Sequence, residues 1–467
     1  MRTLVLLLAL LAPVFLLAQP LAESRPLAFA HVTVVDTAGG ASQPDVTVLI
    51  DAGRIVAVGK SVAVPSGAQL VDATGRFLIP GLWDMHSHLS SKDHLALFPA
   101  NGVTGVRFLN VNPAYYQWRH EIESGATLGP RLLIGPMVDG PQPVNPSAIA
   151  VGTETEARQA VLKVKREGGD LIKVYSLLPK DLFYAIADES RKQGIAFGGH
   201  VPRSVTPAEA SDAGQKSIEH LSGVAFACSD LESHYAEDVA ALRAELAAKG
   251  AKTNYLLLLR RLEAKYFDAY NPGKCAALFE RFRKNGTWQV PTLSVASTGA
   301  ALGDPNFRIP RLEYVPAERA DPRKSGMYRH FLPEDFEAMR KILAANLRIV
   351  GEMKRAGVPI LAGTDVQPVG FTLHDELELL VAAGLSPLQA LQAATIDPAR
   401  YMSREDEMGT VGVGKIADLV LLEADPLVEI RNTQKINAVV LGGRLLARPD
   451  LDKLLAQASA AARRGTP

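Results

Sequence analysis

Residues 77–88 read Phe77-Leu78-Ile79-Pro80-Gly81-Leu82-Trp83-Asp84-Met85-His86-Ser87-His88. The apolar part has the character of a buried strand, and it ends in a His-x-His pair. Two histidines at i and i+2 of a strand project from one face, about 7 Å apart along it, so one metal ion can accept both. Surface histidine pairs are common, and the pair alone decides little. Its weight comes from four further ligand-type residues downstream, each closing an apolar run of its own.

Eight such runs can be counted: Phe77 to Asp84, Gly105 to Asn110, Arg131 to Gly135, Leu171 to Tyr175, Ile195 to His200, Ser217 to His220, Thr287 to Ser294 and Pro359 to Asp365. Helical periodicity fills the gaps between them. Alternating short apolar runs and helices predict βα units and a parallel sheet, and eight of them predict a closed (β/α)8 TIM barrel over residues 77–399. The segment is longer than a minimal barrel, and the excess falls at 223–286 and 295–335, after the sixth and seventh runs. Both insertions follow strand C-termini, which places them over the mouth where this fold carries its chemistry. Before the barrel, Leu27 to Asp36, Val46 to Ile50, Arg54 to Gly59 and Gln69 to Asp72 read as short strands separated by Gly-rich turns. After it, Leu419 to Leu422 and Ala438 to Leu445 are strands again. The economical reading joins residues 23–76 and 400–467 into one small β-sandwich domain with the barrel inserted between its halves.

His86 and His88 close the first run, Lys173 lies in the fourth, and His200, His220 and Asp365 close the fifth, sixth and eighth. Strand ends far apart in sequence become neighbours at a barrel mouth. One such histidine is ordinarily a hydrogen-bonding core residue; four of the chain's ten, joined by a lysine and an aspartate, point to metal binding. In Leu171-Ile172-Lys173-Val174-Tyr175 the alternation sends Ile172 and Val174 to the helices and Lys173 into the barrel. Burial drives an ammonium towards the neutral amine, which can add carbon dioxide to give an anionic carbamate able to bridge two cations. An ion pair with a nearby carboxylate is the plainer alternative. On the metal reading His86, His88 and Asp365 hold one divalent ion and His200 and His220 the other, with carbamylated Lys173 between them. Imidazole and carboxylate donors suit zinc. Asp365 is also the expected general base, then acid.

These motifs resemble the amidohydrolase superfamily, and the resemblance covers nearly the whole chain after its first residues. It rests on Pro80 to His88, Gly102-Val103-Thr104-Gly105-Val106-Arg107, Ile172 to Tyr175, Gly199-His200-Val201-Pro202, Ile218-Glu219-His220 and Leu361 to Asp365. It continues through His374 to Glu378, Gly384 to Leu391 and Gly414 to Leu419. The chain is similar to the imidazolonepropionase-like branch, whose lysine-containing members include prolidase-type dipeptidases and ochratoxin-degrading amidases. That resemblance implies two bridged metals and hydrolysis of the amide bond of a dipeptide or N-acyl amino acid. The dipeptidases often carry a tyrosine two residues after the fifth-strand histidine, to steady the oxyanion; Pro202 stands there in this chain. Tyr175 or Tyr328 would then supply that donor. His374 is a further candidate near the site or, equally, a helix cap. Arg323, Lys324, Tyr328, Arg329 and His330 form a cluster that could receive a substrate carboxylate or could be a solvated charge run.

The opening residues read as an export leader. Arg2 supplies a positive start, Leu4 to Leu17 an apolar stretch, and Ala18 or Ala22 a small-residue cleavage position, so the leader is residues 1–22 and the destination periplasmic or extracellular. An uncleaved anchor helix is the alternative, although the stretch is short for a full span. Lys plus Arg and Asp plus Glu balance at 50 each, so no net field draws the protein to nucleic acid or to an anionic membrane. The partner expected is a small amide or dipeptide, and a homo-oligomer stays open. Cys228 and Cys275, the only cysteines, make either one disulfide or two buried thiols. The same metal chemistry would also attack a lactone, a cyclic amide or an organophosphate ester. A non-catalytic exported binding protein is the reading from another class; it should have lost a ligand, and none is missing.

Overall fold

The computed structural model describes residues 25–89, 91–250, 253–324 and 328–464. The leader assigned to residues 1–22 lies outside them. Among the described residues no helix is long and apolar enough to cross a membrane.

Both ends of the chain contribute to one eight-stranded sheet. Its order runs Arg444–Ala447, Ile436–Leu441, Leu419–Leu422, Phe77–Pro80, Leu27–Val34, Gln43–Asp51, Arg54–Gly59, with Gln69–Asp72 paired to Leu27–Val34. The junction between the N-terminal and C-terminal halves is the antiparallel register of Leu419 with Pro80 and Leu422 with Phe77. The sheet curls on itself, because Arg54 on its last strand bridges back to Ile416, just before Leu419–Leu422. Phe29, Val48, Ile55, Leu78, Leu419 and Val440 fill the core it encloses. A helix, Arg448–Arg464, follows the last strand and buries Leu451 and Ala458.

The first apolar run divides at Gly81. Phe77–Pro80 belongs to the terminal sheet, and Leu82–Ser87 starts the next layer. A single strand over 77–84 is thus corrected to two. From Leu82 the parallel strands follow in chain order: Leu82–Ser87, Val103–Phe108 and Arg131–Ile134 in one sheet, then Met137–Asp139, Leu171–Val174, Ala196–Gly199, Ser217–Glu219 and Trp288–Val290 in another, with Ile149–Ala150 at its edge. Asp170 N–H donates to Ile134 O at 2.8 Å and joins the two sheets. The eighth run, 359–365, is a strand only in outline. Ile360 makes one parallel bridge to Gln289, and Met85 N–H donates to Ala362 O at 2.9 Å. Those contacts close a TIM-barrel-like ring.

The helices around the ring are capped as their sequences imply. Thr206 and Glu209 form a reciprocal capping box with Pro207 in the first turn, and Gly194 in the left-handed conformation ends Lys180–Gln193. Ile172 and Val174 are buried in the same core as Phe183 and Ile186 of that helix, the outward aliphatic face that the alternation predicts.

The insertion at 223–286 is helical: Tyr235–Lys249, Tyr255–Asp268 and Pro272–Asn285. A disulfide between Cys228 and Cys275 ties its start to its last helix, which settles the state of the two cysteines. The second insertion supplies Leu293–Ala301 and irregular chain before the long helix Pro333–Arg355.

A candidate metal centre at the strand C-termini

The ring delivers the expected residues to one place. Ligand-type atoms of His86, His220 and Asp365 all lie within 4.8 Å of one another. His88 joins them through Asp365, its Nε2 standing 3.0 Å from Oδ1. His200 packs edge-on to His220 with ring centres 5.0 Å apart. His220 thus stands beside His200 and also close to His86 and Asp365.

Local backbone conformation makes this convergence possible. Gly199 has φ +125°, and a Cβ there would lie 2.3 Å from Val174 O and 3.0 Å from Lys173 Cγ, so only glycine lets the fifth strand lie against the lysine. Gly363 is similar: a Cβ would meet His86 N at 2.8 Å. His220, Thr292 and Asp365 carry φ of +60°, +45° and +55°. Left-handed backbone at a non-glycine residue costs about 1–3 kcal/mol and persists where surrounding structure enforces it. Here Thr364 and Asp365 both donate backbone N–H to His86 O, at 3.0 and 2.8 Å, while Asp84 accepts from the Thr364 N–H and hydroxyl.

Each buried imidazole is aimed by a partner on its other nitrogen. His86, fully buried, sets Nδ1 2.8 Å from Glu219 Oε2. Glu219 Oε1 in turn accepts from Arg107 Nη2 at 2.8 Å and Ser217 Oγ at 2.7 Å. A carboxylate so held accepts a hydrogen bond from Nδ1–H, keeps the proton on that nitrogen and leaves Nε2 with a free lone pair. That Nε2 is buried and without a hydrogen-bond partner among the described residues, an orphaned acceptor of the kind a cation satisfies. His200 Nδ1 lies 2.8 Å from Ser176 Oγ and His220 Nδ1 2.7 Å from Thr292 Oγ1. Burial holds all three rings well below the ordinary imidazole value, so they are neutral and can ligate. Burial opposes ionisation of Asp365, but His88, whose Nε2 stands 3.0 Å from Oδ1, leads the contacts that outweigh it and keep the carboxyl well below its usual range. The donor set fits divalent metal ions.

Lys173 is 2% exposed and points inward, its Nζ 5.3 Å from the Tyr175 ring centre. No carboxylate lies within 4.0 Å of it among the described residues, so the ion-pair alternative finds no partner. Burial brings its ammonium down to about 8 against the pull of Asp365 and Glu219.

A cavity of about 400 Å³ opens from His200 and His220 and is walled by Tyr175, Arg203, Tyr255, Arg260 and Glu263. Tyr175 stacks on His200 at 4.1 Å between centres. Of the other expected substrate contacts, Tyr328 is near enough to feel Asp365 and Arg260 but is committed to a packed cluster, and Arg329 and His374 make their contacts elsewhere. Tyr328 is buried among Leu302 and Phe336 with its hydroxyl directed at Val295 O, and burial raises its phenol to about 12. Arg329 is exposed at the surface. His374 lies inside the helix Phe371–Ala382, and its two ring nitrogens are taken by Thr433 Oγ1 at 2.9 Å and Asn101 O at 3.1 Å. It is neither ligand nor cap but a tie between three segments. Arg323 bonds Asp321 and the carbonyls of Asp304 and Phe307, so it orders its own loop.

Eight parallel strands carrying imidazoles, a lysine and a carboxylate at their C-terminal ends define a hydrolase-type barrel with a metal-capable mouth. The chain belongs to the amidohydrolase family, whose model matches residues 119–446. It is similar to ochratoxinase of Aspergillus niger, 23% identical over 447 residues, covering 80% of this chain and 76% of that one. A shorter likeness, 34% identity over 115 residues, is to adenine deaminase 2 of Jannaschia sp.; it takes in 24% of this chain and only 18% of that protein. Among solved structures, bottromycin amidohydrolase superposes with a TM-score of 0.72 at 25% identity, covering 94% of this chain and 91% of that one.

Proposed function

We propose that this protein is an exported, metal-dependent amidohydrolase that cleaves the amide bond of a dipeptide or N-acyl amino acid. The observation that carries the reading is the meeting of neutral His86 and His220 with ionised Asp365 beside a buried Lys173 that makes no ion pair among the described residues. His86, His88, His200, His220 and Asp365 would hold two divalent ions, with Lys173 between them. Such ions, zinc suiting the donors best, supply Lewis acidity and a bound water acidic enough to be a nucleophile at neutral pH.

The chain's own groups do the rest. A neutral Lys173 amine adds carbon dioxide and releases a proton, which turns a buried amine into an anionic oxygen donor. Glu219 keeps the proton of His86 on Nδ1, and Ser176 and Thr292 steady the other two rings. Asp365, open to the mouth and ionised, is placed to take a proton from the attacking water and return it to the leaving nitrogen. Tyr175 stays un-ionised, since burial and then Asp365 raise its phenol, and it faces the cavity as a donor for the carbonyl oxygen. The volume suits a ligand of dipeptide size. Export is supported by the Cys228–Cys275 disulfide, a bond that persists in oxidising compartments.

Elemental analysis of purified protein, paired with turnover of a dipeptide and N-acyl amino acid panel, tests this. About two ions per chain, with activity lost on chelation and restored by zinc, is the expected result. Activity that survives exhaustive metal removal, or panel binding without turnover by metal-replete protein, overturns it.

A further inference from the structure

One charge in the cavity wall makes no ion pair among the described residues, and Glu263, the carboxylate that acts on it, is already paired with Arg260. Arg260 and Glu263, both on the helix Tyr255–Asp268, pair with each other. Arg203, which reaches the same cavity from the loop after the fifth strand, does not. Its Nε donates to Tyr255 Oη at 2.9 Å, and the Phe226 ring centre lies 5.6 Å from its Cζ. No carboxylate lies within 4.0 Å of it among the described residues. A guanidinium stays charged at any pH the protein meets, and an enclosed charge without a partner is costly. Tyr235 also faces the guanidinium, so its protein partners are two phenols and a ring, and a planar fork of N–H donors is left to match the two oxygens of a carboxylate with no carboxylate of the described residues against it.

Its placement relative to the candidate metal centre is fixed. Arg203 N–H donates to Ser176 O at 3.0 Å, and the hydroxyl of that serine holds His200. Two residues, Val201 and Pro202, separate Arg203 from His200, so their Cα atoms are at most about 11 Å apart. In an amide of an α-amino acid, the carboxylate carbon is two bonds from the scissile nitrogen. A substrate whose carbonyl sits at the imidazoles therefore has its carboxylate within reach of the guanidinium.

We propose that Arg203 is the carboxylate-binding residue of this enzyme, and that the substrate carries a free carboxylate on the amine side of the scissile amide. This rests on the amide-hydrolase reading and narrows it: a C-terminally blocked peptide, a neutral lactone or an organophosphate ester leaves the arginine unpaired. The cluster at 323–330 does not do this work, since Arg323 is spent on its own loop.

The test compares N-acetyl amino acids with their C-terminal carboxamides on wild-type holoenzyme, Arg203→Gln and Arg203→Lys. For wild type, kcat/KM is expected to favour the acids by about 30-fold or more, mostly through KM. Arg203→Gln should abolish that preference by weakening the acids far more than the carboxamides, with Arg203→Lys in between. Thermal-shift titration with the same acids and carboxamides reads the preference without turnover. Acid-selective protection that Arg203→Gln removes supports the carboxylate site even if no amide is cleaved, an outcome that would sink the amide-hydrolase reading alone. Equal use and equal binding of acids and carboxamides by the wild type overturns the inference, whether or not the variants fold. So does a folded Arg203→Gln that weakens both series equally.

Discussion

Glu219→Gln separates aiming from ligation at the candidate metal centre. The amide keeps the carboxylate's volume but exchanges one acceptor for a donor. In the native arrangement Oε2 accepts from Nδ1–H of His86 at 2.8 Å, while Oε1 accepts one bond each from Arg107 and Ser217. Arg107 will hold the amide oxygen, which turns the NH2 towards His86. The imidazole must then accept at Nδ1 and carry its proton on Nε2, the atom that faces Asp365 and His220. Loss of a carboxylate behind a metal-binding histidine lowers metal affinity about 10- to 100-fold, which is about 1.4–2.7 kcal/mol. Stability falls as well. Removing one partner from a buried ion pair costs about 3–5 kcal/mol, and the low end applies because Arg107 retains Met85 O at 2.6 Å and Ser217 Oγ and Tyr401 Oη at 3.0 Å. Competition with a chromophoric chelator measures the affinity, and urea unfolding of the metal-free protein measures the stability. A folded Glu219→Gln protein that binds its ions as tightly as wild type would refute the proposition that Glu219 sets the tautomer of His86.

Three other outcomes follow from the same structure. Lys173→Met should cut metal content from about two ions per chain to about one and remove most turnover; unchanged content and activity would exclude a bridging lysine. Cys228→Ser with Cys275→Ser opens a loop of sequence separation 47 and should cost up to about 4 kcal/mol in the Gibbs energy of unfolding, read from denaturant midpoints with and without reductant; a midpoint indifferent to the bond would show that packing alone holds the insertion. His374 has its folded value brought down to about 4, chiefly by burial, against 6.5 in the unfolded chain. The unfolded chain therefore binds the proton first as pH falls. The stability from the neutral ring is whole above 6.5 and is lost towards pH 4, by about 3 kcal/mol in all. His374→Gln should flatten that part of the pH profile in metal-free protein, and an unaltered slope would assign the loss to other groups.

The ring of strands is legible in the sequence because a parallel strand is buried on both faces, so each is written as a continuous apolar run. The same fact hides the division at Gly81. Residues 77–87 pass from the terminal sheet into the ring without a polar break, and only the pairing partners, Leu419 to Leu422 on one side and Val103 to Phe108 on the other, reveal two strands. The eighth run is legible as an apolar segment but not as a broken strand, because its sparse pairing, one bridge from Ile360 to Gln289, depends on neighbours distant in sequence.

Charged residues divide by a different rule. His86, His88, Lys173, His200, His220 and Asp365 are readable because each sits at a strand end or faces inward by simple alternation. The groups that aim them are not, since the bonds from Glu219 to His86 and from Thr292 to His220 cross 133 and 72 residues. Glu219 does leave a trace: it is a carboxylate inside the buried strand Ser217–Glu219, and a charge there requires a partner. Sequence supplies the charge, and the fold alone supplies the partner. Arg323 and Arg203 show how far that asymmetry reaches. Both lie in loops rich in polar residues, yet Arg323 is consumed by Asp321 and two carbonyls while Arg203 meets two tyrosines and a ring. Clustering of basic residues is therefore a poor guide to a substrate anion. An arginine that the folded protein encloses and leaves outside any ion pair is the better one, because the missing charge has to come from the ligand.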